Sequence, residues 1–218
     1  MIAFFKKIVI IILVGFTGIL YSQNEVESNN KSNSFFYQNR GENVFTVSIG
    51  TAVINGDFPD PLFEFYGQIG YKRFINPFLN INFTFNKFNL AYKDIANNGF
   101  MSFDINAEGL LLPDKPLTPF VFAGFGLNAS NYFKQSDIKS QMGFGLEYIV
   151  SKDIGVKLFT DYNLVFSDLV DGREFGSTDD VYWRIGFGIN YYFGDSKKKK
   201  ETINGPSIIN SNPIIHNN

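Results

Sequence analysis

Side chains able to do catalytic chemistry are scarce in this chain. Its 218 residues include no cysteine and one histidine, His216, close to the C-terminus. Without cysteine there is no disulfide, no thiolate metal ligand, no thiol nucleophile and no lipid-modified N-terminal cysteine. Histidine is the usual general base near neutral pH, so its scarcity argues against His-dependent hydrolysis. We therefore expect a protein that is not an enzyme and that carries no cofactor or metal.

Carboxylates are the remaining groups with reactive potential. A carboxylate-only hydrolase using Asp104, Glu108 and Asp161 stays open as an alternative, but nothing in their spacing separates them from an ordinary ion-pair network. Residues 165–180 are rich in acids, including Asp168 and Asp171, yet their spacing matches no EF-hand loop. We expect a solvated acidic loop there, which could also meet lipopolysaccharide through divalent ions.

Composition narrows the class of protein. The formal net charge is -2, charged residues make up 18% of the chain and aromatic residues 17%. An average globular chain has about 25% charged residues. A mildly acidic chain of this kind is not expected to bind nucleic acid.

The N-terminus has the order of a secretory signal peptide. Lys6 and Lys7 precede 13 apolar or small residues, 8–20, and the chain turns polar at Asn24. Thirteen helical residues span about 20 Å, short of the ~30 Å hydrocarbon core, which disfavours a membrane anchor. We predict a signal peptide over residues 1–23 and a flexible lead over 24–42.

The body of the chain alternates between apolar and polar residues with a period of two. In the clearest segment Leu79, Ile81 and Phe83 oppose Asn80 and Asn82. Eight such segments occur, a number that a closed membrane barrel allows. With the residues that flank the alternating positions, each segment is about 10–13 residues long and suits a tilted bilayer-spanning strand, which needs ~9–11. The segments cover 45–53, 63–72, 79–86, 101–108, 121–128, 141–148, 154–163 and 183–193.

Connections of unequal length separate these segments. Long polar connections are predicted at 55–62, 89–99, 129–139 and 165–180, and shorter ones at 75–77, 112–118 and 151–153. Outer-membrane barrels have long extracellular loops and short periplasmic turns. With eight strands, the pattern predicts both termini on the periplasmic side.

The smaller residues distinguish a membrane barrel from a water-soluble barrel or sandwich, whose apolar face would point inward. Glycines such as Gly124, Gly126, Gly186 and Gly188 lie on the polar face, where they suit a narrow, crowded interior. Aromatic residues cluster near segment ends, as in interfacial girdles. The sequence predicts an all-β, eight-stranded antiparallel up-and-down transmembrane β-barrel over residues 43–194, followed by a disordered periplasmic tail over 195–218.

The chain resembles the OmpA-like superfamily of small eight-stranded outer-membrane β-barrels over roughly residues 40–194. The most specific feature is the closing strand from Val181 to Phe193, which ends in an aromatic residue. In that family such a terminus resembles the signal read by the barrel-assembly machinery, although here residues 194–218 follow it. The resemblance implies an outer-membrane location, contact with outer-membrane lipid and lipopolysaccharide, and termini in the periplasm.

Ionisable residues on the inward face are predicted to pair. If Val150 pairs with Ile154, Glu147 lies opposite Lys157; if Leu164 pairs with Val181, Asp161 lies opposite Arg184. Buried charges persist only when paired, so a plugged lumen is favoured over a conducting pore. The predicted inward set has five carboxylates and three cations, which predicts weak cation preference for any leak. The remaining inward charges are Glu64, Lys72, Asp104 and Glu108.

Two functions follow from this reading. The first is a non-enzymatic outer-membrane barrel with a structural or interaction role, accessory to an envelope or secretion assembly or acting as an adhesin. The alternative is a narrow, weakly cation-preferring channel for small solutes. The candidate loop contacts are Phe58, Tyr132, Phe133, Asp168 and Asp171.

Overall fold

The computed structural model describes residues 35–55, 60–133, 136–166 and 180–194. The predicted signal peptide and C-terminal tail lie outside these residues. The described chain begins with a short helix α1 and continues almost entirely as β-strand. The elements are α1 (Phe35–Asn39), β1 (Asn43–Asn55), β2 (Pro61–Leu62), β3 (Glu64–Asn76), β4 (Leu79–Tyr92), β5 (Ala96–Leu110), β6 (Leu117–Ser130), a 3₁₀ turn (Asn131–Phe133), β7 (Ser136–Ser151), β8 (Ile154–Val165) and β9 (Val181–Phe193).

The long strands form a closed antiparallel barrel. Each of β3 to β8 pairs with the next strand along the chain, and β1 pairs with both β3 and β9, which closes the ring. The two-residue β2 only extends the sheet beside β4. The prediction of eight antiparallel strands in a closed barrel is confirmed. Asn43 lies opposite Phe193, so the start of β1 and the end of β9 lie at one rim, called here the terminal rim.

The barrel is apolar outside and polar inside. Along β9, Trp183, Ile185 and Phe187 are exposed, while Arg184 and Asn190 between and beyond them are buried. The same alternation repeats in the other strands, because successive side chains point to opposite faces. The part of the chain that the structure describes contains no helix long and apolar enough to cross a membrane.

Two predicted long loops are shorter in the structure. Strands β4 and β5 remain in register up to Tyr92 opposite Ala96, so only residues 93–95 connect them instead of 89–99. Likewise β7 begins at Ser136, which leaves 131–135 between β6 and β7 instead of 129–139. The strands continue because inward side chains such as Leu90 and Tyr92 bury apolar surface. The many polar residues in these stretches made them resemble loops in the sequence.

One register assumption also differs. Ser151, and not Val150, lies opposite Ile154, because a bulge separates Ile149 from Ser151. The bulge takes up the extra residue, so the register beyond it still places Glu147 opposite Lys157.

Inward glycines are required by close contact between neighbouring strands. A Cβ at Gly50 would overlap the backbone carbonyl oxygen of Ile185, in the seam between β1 and β9. Gly67, on the outer face, leaves a Cβ in ordinary contact, 3.5 Å from the Phe65 ring.

These two glycines provide a matched test of the seam. We expect Gly50→Ala to destabilise the folded barrel by about 1–3 kcal/mol, since the backbone of the adjacent strand must shift. Gly67→Ala should change stability by less than about 0.5 kcal/mol, as surface changes usually do. Urea titrations of the barrel refolded into lipid vesicles measure both; equal effects would contradict the close contact at the seam.

Candidate functional site

The inner wall carries a charge-balanced set of buried ionisable residues, which forms the candidate site. Five cations and five carboxylates are buried among the described residues. The sequence predicted an excess of carboxylates on the inner wall, whereas the buried cations and carboxylates are equal in number. The predicted cation preference depended on that excess and therefore loses its basis. The cations are Arg40, Lys72, Lys139, Lys157 and Arg184, and the carboxylates are Asp104, Glu108, Glu147, Asp161 and Asp180.

Arg184 lies at the centre of the largest cluster. Its Nε donates to both carboxylate oxygens of Asp161, at 2.9 and 3.1 Å, and its Nη2 donates to Asp161 Oδ2 at 2.8 Å. The same Nη2 is 3.3 Å from Asp104 Oδ2, on the far side of the lumen. The register places Arg184 opposite Asp161, as expected from counting across the last loop. One guanidinium therefore ties β9 to β8 and β5.

Lys139 completes this central cluster. Its ammonium donates to Asp104 Oδ2 at 3.0 Å, to Gln141 Oε1 at 2.8 Å and to Asn163 Oδ1 at 2.7 Å. These three bonds use all the donors of the ammonium group. Sequence reasoning missed Lys139 because it placed residue 139 in a loop. In the structure Lys139 belongs to β7, and its side chain points into the lumen.

Aromatic rings surround the central guanidinium. The Arg184 carbon Cζ is 5.1 Å from the ring centroid of Tyr66 and 5.8 Å from those of Phe88 and Tyr182. Such cation–π contacts strengthen when water is excluded. The rings also fill the lumen on the side away from the terminal rim.

A second cluster lies nearer the terminal rim. Lys72 Nζ contacts both carboxylate oxygens of Glu108, at 2.6 and 2.7 Å, and Asn80 Nδ2 donates to Glu108 at 2.9 Å. Lys157 donates to Gln68 Oε1 at 3.3 Å and lies 4.7 Å from the ring of Phe159. The cavity beside these residues has a volume of only about 20 Å³, enough for about one water molecule.

Helix α1 closes the barrel at the terminal rim. Arg40 directly follows α1; its Nη1 donates to the Pro113 carbonyl oxygen at 2.7 Å and its Nη2 lies 3.4 Å from Glu147 Oε2. The Phe36 ring packs edge-on against Phe74 with centroids 5.0 Å apart. Part of the predicted flexible lead is therefore a folded plug. A five-residue helix with no apolar repeat gives no sequence signal for this role.

The structure changes one predicted ion pair. Glu147 and Lys157 are opposite in register, but Glu147 makes its ion pair with Arg40, and no ion pair joins it to Lys157 in the described chain. Tyr192 and Asn190 also donate hydrogen bonds to Glu147. The competing cation comes from the N-terminal segment, which sequence reasoning had placed outside the barrel.

The other candidate residues are distributed as follows. Lys72, Asp104 and Glu108 are buried in the lumen, whereas Glu64 is half-buried at the opposite rim, where Asn97 Nδ2 donates to it at 3.2 Å. Phe133 is exposed at that rim, and its φ of 53° lies in the left-handed region. Phe58, Asp168, Asp171 and the side chain of Tyr132 lie outside the described residues.

The geometry of the inward carboxylates favours a packed interior over a catalytic site. Asp104, Glu108 and Asp161 are all buried and each accepts hydrogen bonds from a cation, so none of them faces a space that a substrate could enter. The described residues contain no group of three or more histidine, cysteine, aspartate or glutamate side chains able to hold a metal. The lumen works as a packed polar core.

Comparisons with known proteins agree with this fold. No family model and no curated protein matches the chain. Among solved structures, Neisserial surface protein A (NspA) is 15% identical, with 70% of this chain and 98% of that chain covered at a TM-score of 0.58. The N-terminal β-barrel domain of Pseudomonas aeruginosa OprF is 13% identical (70% and 99% covered, TM-score 0.45), and the outer membrane enzyme PagL is 14% identical (68% and 99% covered, TM-score 0.42).

At these identities the likeness concerns the fold. The chain has the fold of small eight-stranded outer-membrane β-barrels, which the resemblance in sequence predicted. A shared fold does not by itself assign an activity.

The central cluster makes a sharp stability prediction. Arg184→Met keeps an unbranched apolar stem but leaves Asp104 and Asp161 without their bridging cation, so we expect a loss of about 3–5 kcal/mol in the free energy of unfolding. The control is Arg73→Met, because Arg73 pairs with Glu42 at 3.2 Å while 54% exposed. That change should cost no more than about 1 kcal/mol. Urea unfolding in lipid vesicles measures both, and a cost for Arg184→Met no greater than the control would refute the role of the cluster.

Proposed function

We propose that this chain is a non-enzymatic outer-membrane β-barrel that serves as a rigid anchor and presents its rims and loops to partners. The sealed, charge-balanced lumen is the observation that carries the proposal. The described interior is filled by ion pairs and aromatic rings, and the cavity beside Lys72 and Glu108 has only about 20 Å³, too little for a solute or substrate larger than water. What remains available for interaction is its outer surface and its two ends.

The outer surface supports a membrane location. Large apolar side chains cover it over the length of the strands, including Phe65, Phe125 and Phe144. In water such a surface would drive aggregation, whereas in lipid it is the required exterior. Closure of the ring also gives each of the eight long strands a partner on both sides, which the bilayer demands.

The lengths of the connections at the two rims support an orientation. At the terminal rim the connections are 77–78, 111–116 and 152–153, the longest of them six residues. At the opposite rim the β4–β5 hairpin is also short, but 15 residues, 166–180, separate β8 from β9. We place the terminal rim in the periplasm and the opposite rim outside, because outer-membrane barrels have short periplasmic turns and longer extracellular loops. Phe133 then lies where an envelope partner or lipopolysaccharide can be contacted.

Membrane insertion has a direct mutational test. Phe187→Arg puts a charge on the lipid-facing wall and should destabilise the barrel in vesicles by about 2–4 kcal/mol near the midplane. Phe133→Arg, at the rim, should cost no more than about 1 kcal/mol. The unheated protein should also migrate differently from the boiled protein on a semi-native gel. Equal costs and no heat-dependent shift would place the barrel in water and remove the proposal.

A narrow, weakly cation-preferring channel was the alternative, and planar bilayers separate the two functions. The sealed lumen predicts no stepwise current from the purified barrel at voltages where a conducting porin in the same membrane gives clear steps. Reproducible steps that disappear in a lumen variant such as Asp161→Asn would establish a channel and overturn the sealed-anchor proposal.

A further inference from the structure

A groove crosses the outer wall of the barrel over β1, β3, β4, β5 and β6. It is open to the surroundings along its length, and its volume is about 750 Å³. Phe85, Phe103 and Phe125 are among its walls, and Gly70 and Gly126 contribute to its floor. No charged side chain projects into it, since the carboxylate of Asp104 points into the lumen, where Lys139 and Arg184 contact it.

The strand register explains the groove. One wall is a row of outward side chains paired across the strands, Phe45, Tyr71, Phe83, Ile105 and Phe125. The other wall is the neighbouring outward row, Ile69, Phe85, Phe103 and Leu127. Between them lies the row Gly70, Thr84, Asp104 and Gly126, whose side chains point inward or are absent. The floor is therefore bare backbone between two apolar walls.

The cross-section of the groove selects its occupant. A volume of about 750 Å³ spread over five strands, about 19 Å, gives a mean cross-section of about 39 Å². An α-helix with its side chains is about 10–12 Å across, which is about 80–110 Å², so a partner helix does not fit. A single extended hydrocarbon chain has a smaller cross-section and fits.

The length and slant of the groove fit one leaflet of a bilayer. Five strands at about 4.8 Å spacing give a groove about 19 Å long. It begins at Phe45, close to the start of β1 at the terminal rim, and ends at Phe125 and Leu127, about two thirds of the way along β6. Strands tilted by about 45° give the groove a similar tilt, so a chain crossing a leaflet of about 15 Å would cover about 21 Å of it.

Polar groups stand at the end of the groove beside the terminal rim. Tyr71, a wall residue, donates its hydroxyl to Asn43 Oδ1 at 2.6 Å. Arg73 Nη1 donates to the same oxygen at 2.7 Å, and its Nη2 is 3.2 Å from Glu42. Arg73 remains 54% exposed on its side chain, so it can also contact an anionic group at the membrane surface.

We infer that the groove binds one acyl chain of a glycerophospholipid from the leaflet at the terminal rim, with the phosphate beside Arg73 and Tyr71. The inference rests on the proposed function, because the groove has this occupant only in a membrane. It adds a specific lipid site to a wall that would otherwise be a uniform apolar belt.

The only tryptophan, Trp183, can be replaced to create a local reporter. In a Trp183→Phe background, Phe85→Trp puts a fluorophore in the groove, and Phe144→Trp puts one on the outer wall of β7, away from it. Phospholipid with brominated acyl chains is then titrated into the folded, detergent-solubilised barrel. We expect quenching at equimolar lipid for Phe85→Trp, and only at large excess for Phe144→Trp.

The phosphate is tested separately. Arg73→Gln should weaken the apparent affinity for brominated phospholipid by about fivefold, which corresponds to the ~1 kcal/mol that a cation contributes near an anionic surface. It should leave the titration with brominated diacylglycerol, which lacks the phosphate, unchanged. Equal loss for both ligands would assign Arg73 to structure and contradict the phosphate contact.

Two results would overturn the inference. If both fluorophores are quenched along the same titration curve, the groove is ordinary belt surface. If Phe85→Trp is protected from brominated lipid while sedimentation shows a dimer, a second copy of the chain covers the wall. The heat-dependent gel shift confirms folding of each variant, so failure of the lipid site stays distinct from failure of the membrane proposal. Native mass spectrometry of the unmodified barrel, expected to retain one phospholipid, covers the case of a variant that does not fold.

Discussion

The bridge from Arg184 to Asp161 and Asp104 is the interaction on which the interior depends. It joins β9 and β8, neighbours in the ring, to β5 on the other side of the lumen. A buried guanidinium is tolerated there because two carboxylates and three aromatic rings replace its water. Because an eight-stranded barrel has room only for side chains, such a network also decides that the lumen is closed.

The proposed membrane placement accounts for the polar core. A soluble barrel buries apolar side chains and exposes polar ones, whereas a barrel in lipid has apolar surroundings and holds its polar groups within. Asn86 shows the consequence, since its amide donates to Ser102 at 3.1 Å and to Asp104 at 2.9 Å. Glycines on the inner rows keep the wall thin enough for such contacts to reach across.

The sequence predicted the strands well because alternation is a local property of each segment. It also predicted that Asp161 lies opposite Arg184, since a hairpin register can be counted from its turn. It could not predict that Arg40 competes for Glu147, because that contact joins residues 107 apart and the N-terminal segment has no periodicity. Lys139 was missed for another reason. Polar residues at the end of a strand resemble a loop in sequence, and only their alternation with outward residues shows that they face the lumen.

The plug and the groove show how differently the two surfaces of one wall are used. Inside, Arg40 and Phe36 close the terminal rim with a cation and a ring, and the charge count of the lumen balances only when Arg40 is included. Outside, the same wall is bare backbone between rows of aromatic side chains. In the proposed anchor the filled interior leaves the rims and the outer wall as the surfaces that can recognise a partner.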